Sequence, residues 1–532
     1  MIKIKNNIII LVILLAITGL IVHKDALKTP LFWDDEVTIL DNIFIRDAGF
    51  LKQIFTSSYH SGAGDTNNLY RPLATLSFLA EYHIWKFSSL GFHLTNLLLH
   101  VMNGLLVFFL LLALLKDKKI SFFASLLFLI HPVQTEVVNY ASHRPELLMT
   151  LFLLASFTLY LKFTKLKNYL FLLLSSFFFA LSILSKEMGL VLILFIFLYN
   201  LTNSKKNYLD LLPFIIIAAI YILLRATLLN FLNVNIITQG AQISPYSQKI
   251  AERLLIFAKI FFTYLKILFV PLDLHMERDI PYLAGSYEIF TLLKAFIIVS
   301  LIIGLLTRGR KPIFFWADWF MAGLLPVSGI IPINTAIAEH YLYLPSIGLF
   351  ATCSYFLCRL YTKIIHRRFK AALIILALIL FTALGLLSAK RNKEWNTPLT
   401  LYLSTIKNTK NSFRCNNNMG VEYFRKGDLK EAEYYFRESL KILPTYSPAL
   451  NNMGVIAQRK GKTQEAIKFY KKALENDRDY LLAYKNLYPL YIKLDKLKEA
   501  RQIMEKILEI FPYDKETSFL LDKIRAYLQN YP

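Results

Sequence analysis

Two adjacent aspartates, Asp34 and Asp35, stand in the stretch FWDDE at 32–36, shortly after an apolar run at 8–22. A carboxylate at a membrane surface can take the proton of an acceptor hydroxyl while that oxygen attacks a sugar whose leaving group is a lipid phosphate. The departing phosphate then needs nearby cations rather than a general acid. The stretch equally fits a solvated interfacial loop with Trp33 as an aromatic belt residue. The surrounding residues must decide between the two interpretations.

Other ionisable residues stand in short polar segments between later apolar runs. Arg71, Arg144 and Lys186 are cations that can hold a phosphate, the arginines through a bidentate fork and the lysine as a point charge. Carboxylates also suit a divalent cation, so an ion is a further candidate here. Each single member has a simpler alternative, such as a helix cap, a snorkelling arginine or a local ion pair. The remaining polar candidates are His131, Glu136, Glu146, Glu187, Glu339 and His340.

The composition places these residues in a membrane protein. The 532 residues are 55% hydrophobic, and apolar runs near the ~20 residues that span a bilayer recur along the chain. The net charge of +23 comes without an arginine-rich tract, so no nucleic-acid partner is predicted. Three cysteines predict neither a disulfide framework nor a cysteine metal cluster. The run at 8–22 lacks a cleavage site and predicts a retained helix rather than a signal peptide.

Basic clusters between the apolar runs predict the orientation. With a cytoplasmic N-terminus, as Lys3 and Lys5 suggest, all five clusters fall on the cytoplasmic side, where Lys and Arg are enriched. These clusters lie at 116–119, 162–167, 204–206, 308–311 and 366–370. After the first run, the apolar runs lie near 91–115, 121–138, 146–161, 168–184, 188–202, 208–224, 289–306, 313–331, 341–361 and 371–389. About eleven spans then place the C-terminus outside the cytoplasm.

The segment at 251–271 decides between eleven and twelve spans. Glu252, Arg253, Lys259 and Lys266 interrupt it, so it predicts a helix that lies on or dips into the outer surface. If this helix crosses the membrane, the count becomes twelve, and the clusters at 308–311 and 366–370 lie outside the cytoplasm. That placement contradicts the enrichment of Lys and Arg in cytoplasmic loops. In the eleven-span arrangement the candidate acids and cations collect on the outward face, which is typical of a functional site.

The last third of the chain repeats with a period of 34 residues. Gly420 and Gly454 keep this interval, as do Ala432, Ala466 and Ala500. Small residues at two helix crossings within a 34-residue period are typical of the tetratricopeptide repeat (TPR). Stacked repeats form a concave groove, so they predict binding of a peptide or protein.

These patterns predict four regions along the chain. The first is a membrane domain at 1–389, with an outward loop at 23–90 and an outward or interfacial segment at 226–287. It is followed by a linker at 390–413, three TPRs at 414–514 and a capping helix at 515–532.

A series of motifs, in a fixed order, resembles the family of transmembrane-and-TPR O-mannosyltransferases of the GT-C glycosyltransferase superfamily, in a short prokaryotic-like form. These motifs are FWDDE, YRPLATLSF, FHLTNLLLH, HPVQTEVV, SHRPELL, LSKEMGLVL, the P-L-x-L…IP stretch at 271–281, AEHYLYLPSIG and RNKEWNTPLTLY. The resemblance implies an all-α polytopic GT-C module that uses a polyprenyl- or dolichyl-phosphate-linked sugar on the extracytoplasmic face. It implies that Asp34 or Asp35 is the catalytic base. The residues implied to line the donor pocket are Arg71, His131, Glu136, Arg144, Glu146, Lys186, Glu187 and Glu339.

The chain departs from the family pattern at two motifs. The family usually has G-R-A-D where this chain has His143-Arg144-Pro145-Glu146. The usual A-E-R is here Ala338-Glu339-His340, which removes a cation from the loop implied to bind phosphate. The repeat array is also short for the family, which leaves the acceptor class open.

The sequence thus predicts an integral membrane glycosyltransferase, in a cell inner membrane or an ER-type membrane, with an extracytoplasmic TPR domain. It would move mannose or another hexose from a lipid-phosphate donor, with inversion, to a hydroxyl, and protein Ser or Thr is the favoured acceptor. No cofactor is assigned beyond the candidate divalent cation, and membrane lipid is the expected environment. Two alternatives stay open: a non-catalytic, membrane-anchored TPR scaffold, and an enzyme that acts on glycan or lipid.

Overall fold

The computed structural model describes residues 2–65, 67–203, 208–227, 249–278, 312–331, 335–409 and 411–530, with a few positions between 290 and 298. All regular structure in these residues is helical, so the predicted all-α class is confirmed. The basic clusters at 204–206 and 308–311, much of the segment 226–287 and most of the run 289–306 lie outside the described residues.

The chain divides into two compact units. The membrane unit contains Met1–Leu31, Phe44–Ser57 and Asn68–Thr397. The repeat unit contains Phe32–Ile43, Ser58–Asn67 and Pro398–Pro532. The predicted outward loop at 23–90 therefore contributes to both units, and FWDDE belongs to the repeat unit.

The described helices of the membrane unit are α1 (Ile2–Val22), α2 (Leu51–Thr56), α3 (Pro72–Trp85), α4 (Ser89–Leu115), α5 (Lys118–Ile130), α6 (Thr135–Asn139), α7 (Arg144–Leu166), α8 (Tyr169–Ser185), α9 (Val191–Thr202), α10 (Leu212–Ala226), α11 (Ile250–Phe269), α12 (Pro312–Gly323), α13 (Ser346–Lys363) and α14 (Arg367–Glu394). Short 3-10 turns connect several of them, among them Pro132–Gln134, Ala141–His143, Glu187–Leu190 and Glu339–Leu342.

Several helices have the length and composition of membrane spans. Among the described residues, Ser89–Leu115, Ala141–Leu166, Leu209–Ala226 and Arg367–Glu394 are each long and apolar enough to cross a bilayer. The pair Lys118–Ile130 and Pro132–Asn139, bent by 52°, would add a fifth span. These helices support an integral membrane protein, whereas the predicted total of about eleven spans stays a prediction.

The hairpin of α7 and α8 is held together by small polar residues. The hydroxyl of Ser156 donates to the carbonyl of Ser175 at 2.6 Å, and the hydroxyl of Ser175 donates to the carbonyl of Ser156 at 2.7 Å. Such small residues let two apolar helices approach closely. Lys167, at φ +56°, ends α7 and reverses the chain into α8.

Helix α11 packs one face into the core of the membrane unit. Ile256, Ile260, Tyr264 and Leu268 are all buried and recur at four-residue intervals. Arg253 is also buried and donates from Nε to the carbonyl of Gly329 at 2.6 Å. Whether this helix crosses the bilayer, which would give twelve spans, stays a prediction.

The described helices of the repeat unit are α15 (Pro398–Asn408), α16 (Phe413–Arg425), α17 (Leu429–Ile442), α18 (Ser447–Arg459), α19 (Thr463–Asn476), α20 (Leu481–Lys493), α21 (Leu497–Ile510) and α22 (Lys515–Asn530). The glycines of the repeat lie at helix crossings: a Cβ on Gly454 would stand 2.5 Å from the Tyr470 ring. Much of the predicted linker at 390–413 is helical. The reason is the amphipathic face of α15, which buries Leu401, Tyr402 and Thr405.

Candidate active site

Glu136 is the centre of a buried polar network in the membrane unit. Its Oε1 lies 2.7 Å from Nδ1 of His340 and 3.7 Å from Nε2 of His143. Its Oε2 accepts the backbone N–H of His340 at 3.2 Å. The two imidazole rings lie close together, with centroids 4.2 Å apart. The neighbouring motifs HPVQTE and SHRPE thus meet the distant motif AEHYLYLPS at one carboxylate.

Short local elements bring these side chains together. Helix α5 ends at Ile130, and Pro132 begins a 3-10 turn that bends the chain into α6, which carries Glu136. Another 3-10 turn ends at His143 and leads into α7, where Pro145 fits the first turn because its missing N–H has no helical partner there. Glu146 therefore follows Glu136 closely in space as well as in sequence.

A second part of the network pairs acids with cations. The Nζ of Lys186 contacts Oε1 of Glu146, and both side chains are buried. Arg71 Nη2 lies 3.1 Å from Glu187 Oε1. His340 Nε2 stands 3.8 Å from Glu146 Oε1 and so connects this part to Glu136. The structure thus brings together most of the predicted pocket residues.

Glu339 lies between two arginines. Its Oε1 is 3.1 Å from Arg278 Nη2, and its Oε2 is 3.8 Å from Arg391 Nη2. The backbone N–H of His275 also donates to Oε1 at 2.7 Å. Arg391 is 4% exposed, and its Nε donates to no acceptor among the described residues. Two guanidinium groups are thus concentrated beside the loop in which the family's usual arginine is missing.

Burial governs the protonation of the groups around Glu339. It raises the pKa of Glu339 to about 7, against the opposing pull of Arg391 and Arg278. Burial likewise lowers the pKa of His275 to about 4, so that imidazole is neutral near pH 7.

Two predicted pocket residues are engaged by other parts of the membrane unit. His131 Nδ1 accepts the backbone N–H of Val133 at 3.2 Å, and its Nε2 lies 3.0 Å from the carbonyl oxygen of Leu268. The guanidinium of Arg144 forms a bidentate pair with Glu81 at 2.5 and 3.1 Å and also donates to Asn96 at 2.5 Å. These contacts fit a structural role, and the predicted donor-pocket role of both residues stays a prediction.

Three functional candidates were missed by sequence reasoning: His143, Arg278 and Arg391. His143 stands directly before Arg144 in SHRPE, and Arg391 lies in RNKEWNTPLTLY, so both were inside recognised motifs. Arg278 lies inside the P-L-x-L…IP stretch at 271–281, which is also one of the recognised motifs. No local signal connects Arg278 or Arg391 with Glu339, since the contacts join distant parts of the chain.

The acid cluster is part of the repeat unit. Trp33 adopts φ +59°, a left-handed conformation that is uncommon outside glycine. Asp34 is exposed and Asp35 is buried, and a π-helical turn, Glu36–Leu40, follows them. Glu36 lies 2.5 Å from Arg425 of α16. Strained backbone and π-turns are frequent at functional sites.

Glu136, His143 and His340 also form a group with metal-ligand chemistry. Each offers one ligand atom, and these atoms all lie within 4.8 Å of one another.

Comparison with known proteins gives matches to both parts of the chain. Tetratricopeptide repeat models match residues 413–446 and 447–480, which correspond to α16–α19. The chain is 27% identical over 453 residues to the Protein O-mannosyl-transferase F38B6.6 of Caenorhabditis elegans, covering 83% of this chain and 63% of that protein. It is 25% identical over 452 residues to the human Protein O-mannosyl-transferase TMTC3, covering 77% of this chain and 49% of that protein.

Among solved structures, the chain is similar to ArnT from Cupriavidus metallidurans bound to undecaprenyl phosphate. The two share 12% identity with a TM-score of 0.45, over 94% of this chain and 80% of that one. The chain spans only about half to two thirds of the length of the O-mannosyl-transferases named above. The resemblance to the transmembrane-and-TPR O-mannosyltransferases that the motifs predict is confirmed by these matches.

Proposed function

We propose that this protein is a membrane glycosyltransferase that moves mannose or another hexose from a polyprenyl- or dolichyl-phosphate carrier to a Ser or Thr hydroxyl of a protein, on the extracytoplasmic face. The observation that carries the proposal is the buried network of the membrane unit. Carboxylates and cations from five distant segments meet there, in a protein whose relatives are named O-mannosyl-transferases. Buried charge of this kind is expensive in a membrane protein and is usually functional.

The proposed reaction is a single displacement at the anomeric carbon of the sugar. The acceptor oxygen bonds to C1 while the bond between C1 and the phosphate oxygen breaks, and the phosphate oxygen keeps the electron pair. The carboxylate of Asp34 or Asp35 takes the proton of the acceptor hydroxyl. Because the acceptor enters opposite the leaving phosphate, the configuration at C1 inverts.

The cations of the network are proposed to stabilise the departing phosphate. Arg278 and Arg391 flank Glu339, and Lys186 and Arg71 are paired with Glu146 and Glu187. Fixed positive charge in a site that excludes water stabilises a developing anion more strongly than the same charge in water. Glu136, Glu146, Glu187 and Glu339 then hold these cations and the imidazoles in position. The repeat unit is proposed to recruit the acceptor protein through its groove.

In vitro transfer tests this proposal. The full-length chain in nanodiscs is incubated with a panel of polyprenyl-phosphate hexoses and with peptide, glycan and lipid acceptors, and mass spectrometry identifies the product. We expect one hexose added to a Ser or Thr peptide, and no addition by the double variant D34N/D35N. Transfer only to glycan or lipid would refute the protein acceptor. If no acceptor receives sugar from any donor, the enzyme assignment fails and the scaffold alternative gains support.

A further inference from the structure

We propose that Glu136, His143 and His340 bind a divalent transition metal ion, of which Zn²⁺ is the best match. The proposal stands on the contacts of these three residues and does not rest on the proposed transfer reaction. It is an addition to the network of acids and cations, because none of the roles proposed for that network requires a metal.

The donor set has the chemistry of such an ion. Two imidazoles and one carboxylate suit Zn²⁺ and its neighbours, whereas Mg²⁺ and Ca²⁺ prefer oxygen ligands throughout. Glu136 is 3% exposed, and the side chains of His143 and His340 are 12% and 16% exposed. The group is therefore built into the fold and is not a chance encounter of surface side chains.

Two of the three distances between the ligand atoms bracket the spacing that an ion requires, and all three lie within 4.8 Å. In a tetrahedral zinc site with metal–ligand distances near 2.0–2.1 Å, the ligand atoms stand about 3.3 Å apart. Glu136 Oε1 lies 2.7 Å from His340 Nδ1 and 3.7 Å from His143 Nε2, which brackets that value. The ion would replace the proton that Glu136 and His340 share. Glu146 Oε1, 3.8 Å from the other nitrogen of His340, lies close behind the site.

The charges around Glu136 favour the same conclusion. Lys186 is paired with Glu146, and Arg391 and Arg278 are paired with Glu339. In the described part of the chain, the ion-pair partners of Glu136 are the two imidazoles, which are charged only when protonated. The guanidinium of Arg391 acts on Glu136 only from beyond ion-pair distance, and a buried carboxylate without a permanent cation in direct contact is costly. A bound dication would compensate it and would add positive charge to the network.

The test measures metal directly. The full-length chain is purified with a tag that contains no histidine, and the zinc content is determined by plasma mass spectrometry after gel filtration. We expect about one equivalent of Zn²⁺ per chain. After stripping with a chelator, Co²⁺ should restore the site and give the visible absorption of a low-symmetry cobalt complex.

Variants locate the ion. E136Q, H143G and H340R should each lower the metal content, or the affinity for Co²⁺, by about tenfold or more. H83Q is the matched control, because His83 lies on α3 with its Nδ1 2.9 Å from the carbonyl oxygen of Leu79. H340C should keep the ion, since a thiolate is a good ligand, and should add a sulfur-to-cobalt absorption band in the near ultraviolet.

Each outcome decides the question. A wild-type chain that binds neither Zn²⁺ nor Co²⁺ overturns the proposal and leaves Glu136 and His340 as a hydrogen-bonded pair. Equal binding by wild type and all variants places the ion elsewhere and also overturns it. Gel filtration and thermal melting accompany each variant, and the cobalt band of H340C remains decisive even if another variant fails to fold. None of these measurements uses transfer activity, so the metal site and the proposed enzyme can fail independently.

Discussion

Arg391 and Arg278 combine burial with proximity to a carboxylate whose charge is partly suppressed. Burial raises the pKa of Glu339 to about 7, so near neutral pH the two guanidinium groups are only partly neutralised by it. An anionic phosphate can then bind to donors that are held in place and already desolvated. These arginines supply positive charge beside the loop in which His340 stands where the family usually has an arginine.

We expect R391Q and R278Q to lower kcat/KM for the lipid-phosphate donor by about 10- to 100-fold, since hydrogen bonds to charged groups are worth about 1.5–3 kcal/mol. The measurement is steady-state transfer at varied donor concentration. R359Q on α13 is the control, because Arg359 is exposed and contacts the Tyr355 ring. The double variant E339Q/R391Q removes one negative and one positive buried charge together. If its melting temperature equals that of the wild type, a loss of activity reflects lost donor binding and not lost folding. Unchanged kinetics in both single variants would show that neither arginine acts on the donor phosphate.

The two aspartates of FWDDE differ in burial, and this difference provides a test of the base. Asp34 is exposed, whereas Asp35 is buried beside the strained Trp33. We expect Asn in place of the true base to reduce kcat by about 10²–10⁴-fold, as is typical for the loss of a general base. The other variant, and the control D41N, should have smaller effects. Full activity of both D34N and D35N would contradict the assignment.

At the scale of elements, the contacts within the repeat unit connect FWDDE to the first TPR helix. Trp33 packs against Tyr402 of α15 with ring centroids 5.4 Å apart, and Glu36 pairs with Arg425. Both charged side chains are partly exposed, at 31% and 49%, so the pair adds only about 0–1 kcal/mol to folding. We expect its main effect to be on the position of the turn that carries Asp34 and Asp35.

Charge reversal tests this connection. E36R and R425E should each reduce transfer while changing the melting temperature little, because a surface pair contributes little stability. The double variant E36R/R425E should recover activity, since opposite charges again face each other. Failure of the double variant to exceed either single variant would show that the pair does not position the turn. Deleting the repeats is a poorer test, because it removes the whole of α16 together with Arg425.

The helix crossings of the repeats predict a stability effect. Gly454 has no room for a side chain, since a Cβ would stand 2.5 Å from the ring of Tyr470, which is fully buried. G454L should destabilise the repeats by about 1–3 kcal/mol through overpacking. Limited proteolysis of the full chain, read as the rate of cleavage within 413–510, measures this. K468L adds the same side chain at an exposed position of α19 and should leave the rate unchanged.

The sequence allowed the repeats to be predicted far more completely than the network. The 34-residue period is a local pattern, and Gly454 and Ala466 occupy the crossings that it requires. The network joins residues 40 positions apart in the pair Glu146–Lys186 and 204 apart in Glu136–His340. Both His131 and His340 are histidines in polar motifs, so residue type alone could not predict their different partners. His131 is hydrogen-bonded to the main chain, whereas His340 is hydrogen-bonded to the Glu136 carboxylate. Tertiary packing decides such differences.

At the scale of the whole molecule, three helices of the membrane unit each have a basic cluster at one end and residues of the buried network at or near the other. Helix α5 begins in the cluster Lys116–Lys119 and ends next to the segment that carries Glu136. Helix α7 carries Arg144 and Glu146 in its first turn and Lys165 in its last turn, and these two turns lie roughly 30 Å apart along the helix. Helix α14 begins in the cluster at 366–370 and carries Arg391 in its last turn, beside Glu339. The basic turns and the network thus lie at opposite ends of these helices, and α7 and α14 are each long enough to cross a bilayer.

This polarity supports the predicted sidedness and makes it testable. In a chain without native cysteines, single cysteines replace Asn168 in the turn before α8, His366 before α14, and Lys468 in the repeats. An impermeant maleimide applied to intact spheroplasts or sealed vesicles should label the cysteine at 468 but leave those at 168 and 366 unmodified until the membrane is opened. We expect positions 168 and 366 to stay unlabelled because positively charged loops are retained in the cytoplasm. If α14 crosses the membrane, the repeats that follow it lie on the other side. Labelling of the cysteine at 168 or 366 in sealed cells would show that the orientation is opposite to the predicted one. A repeat domain that stays protected would leave the proposed acceptor groove on the wrong side of the membrane for extracytoplasmic transfer.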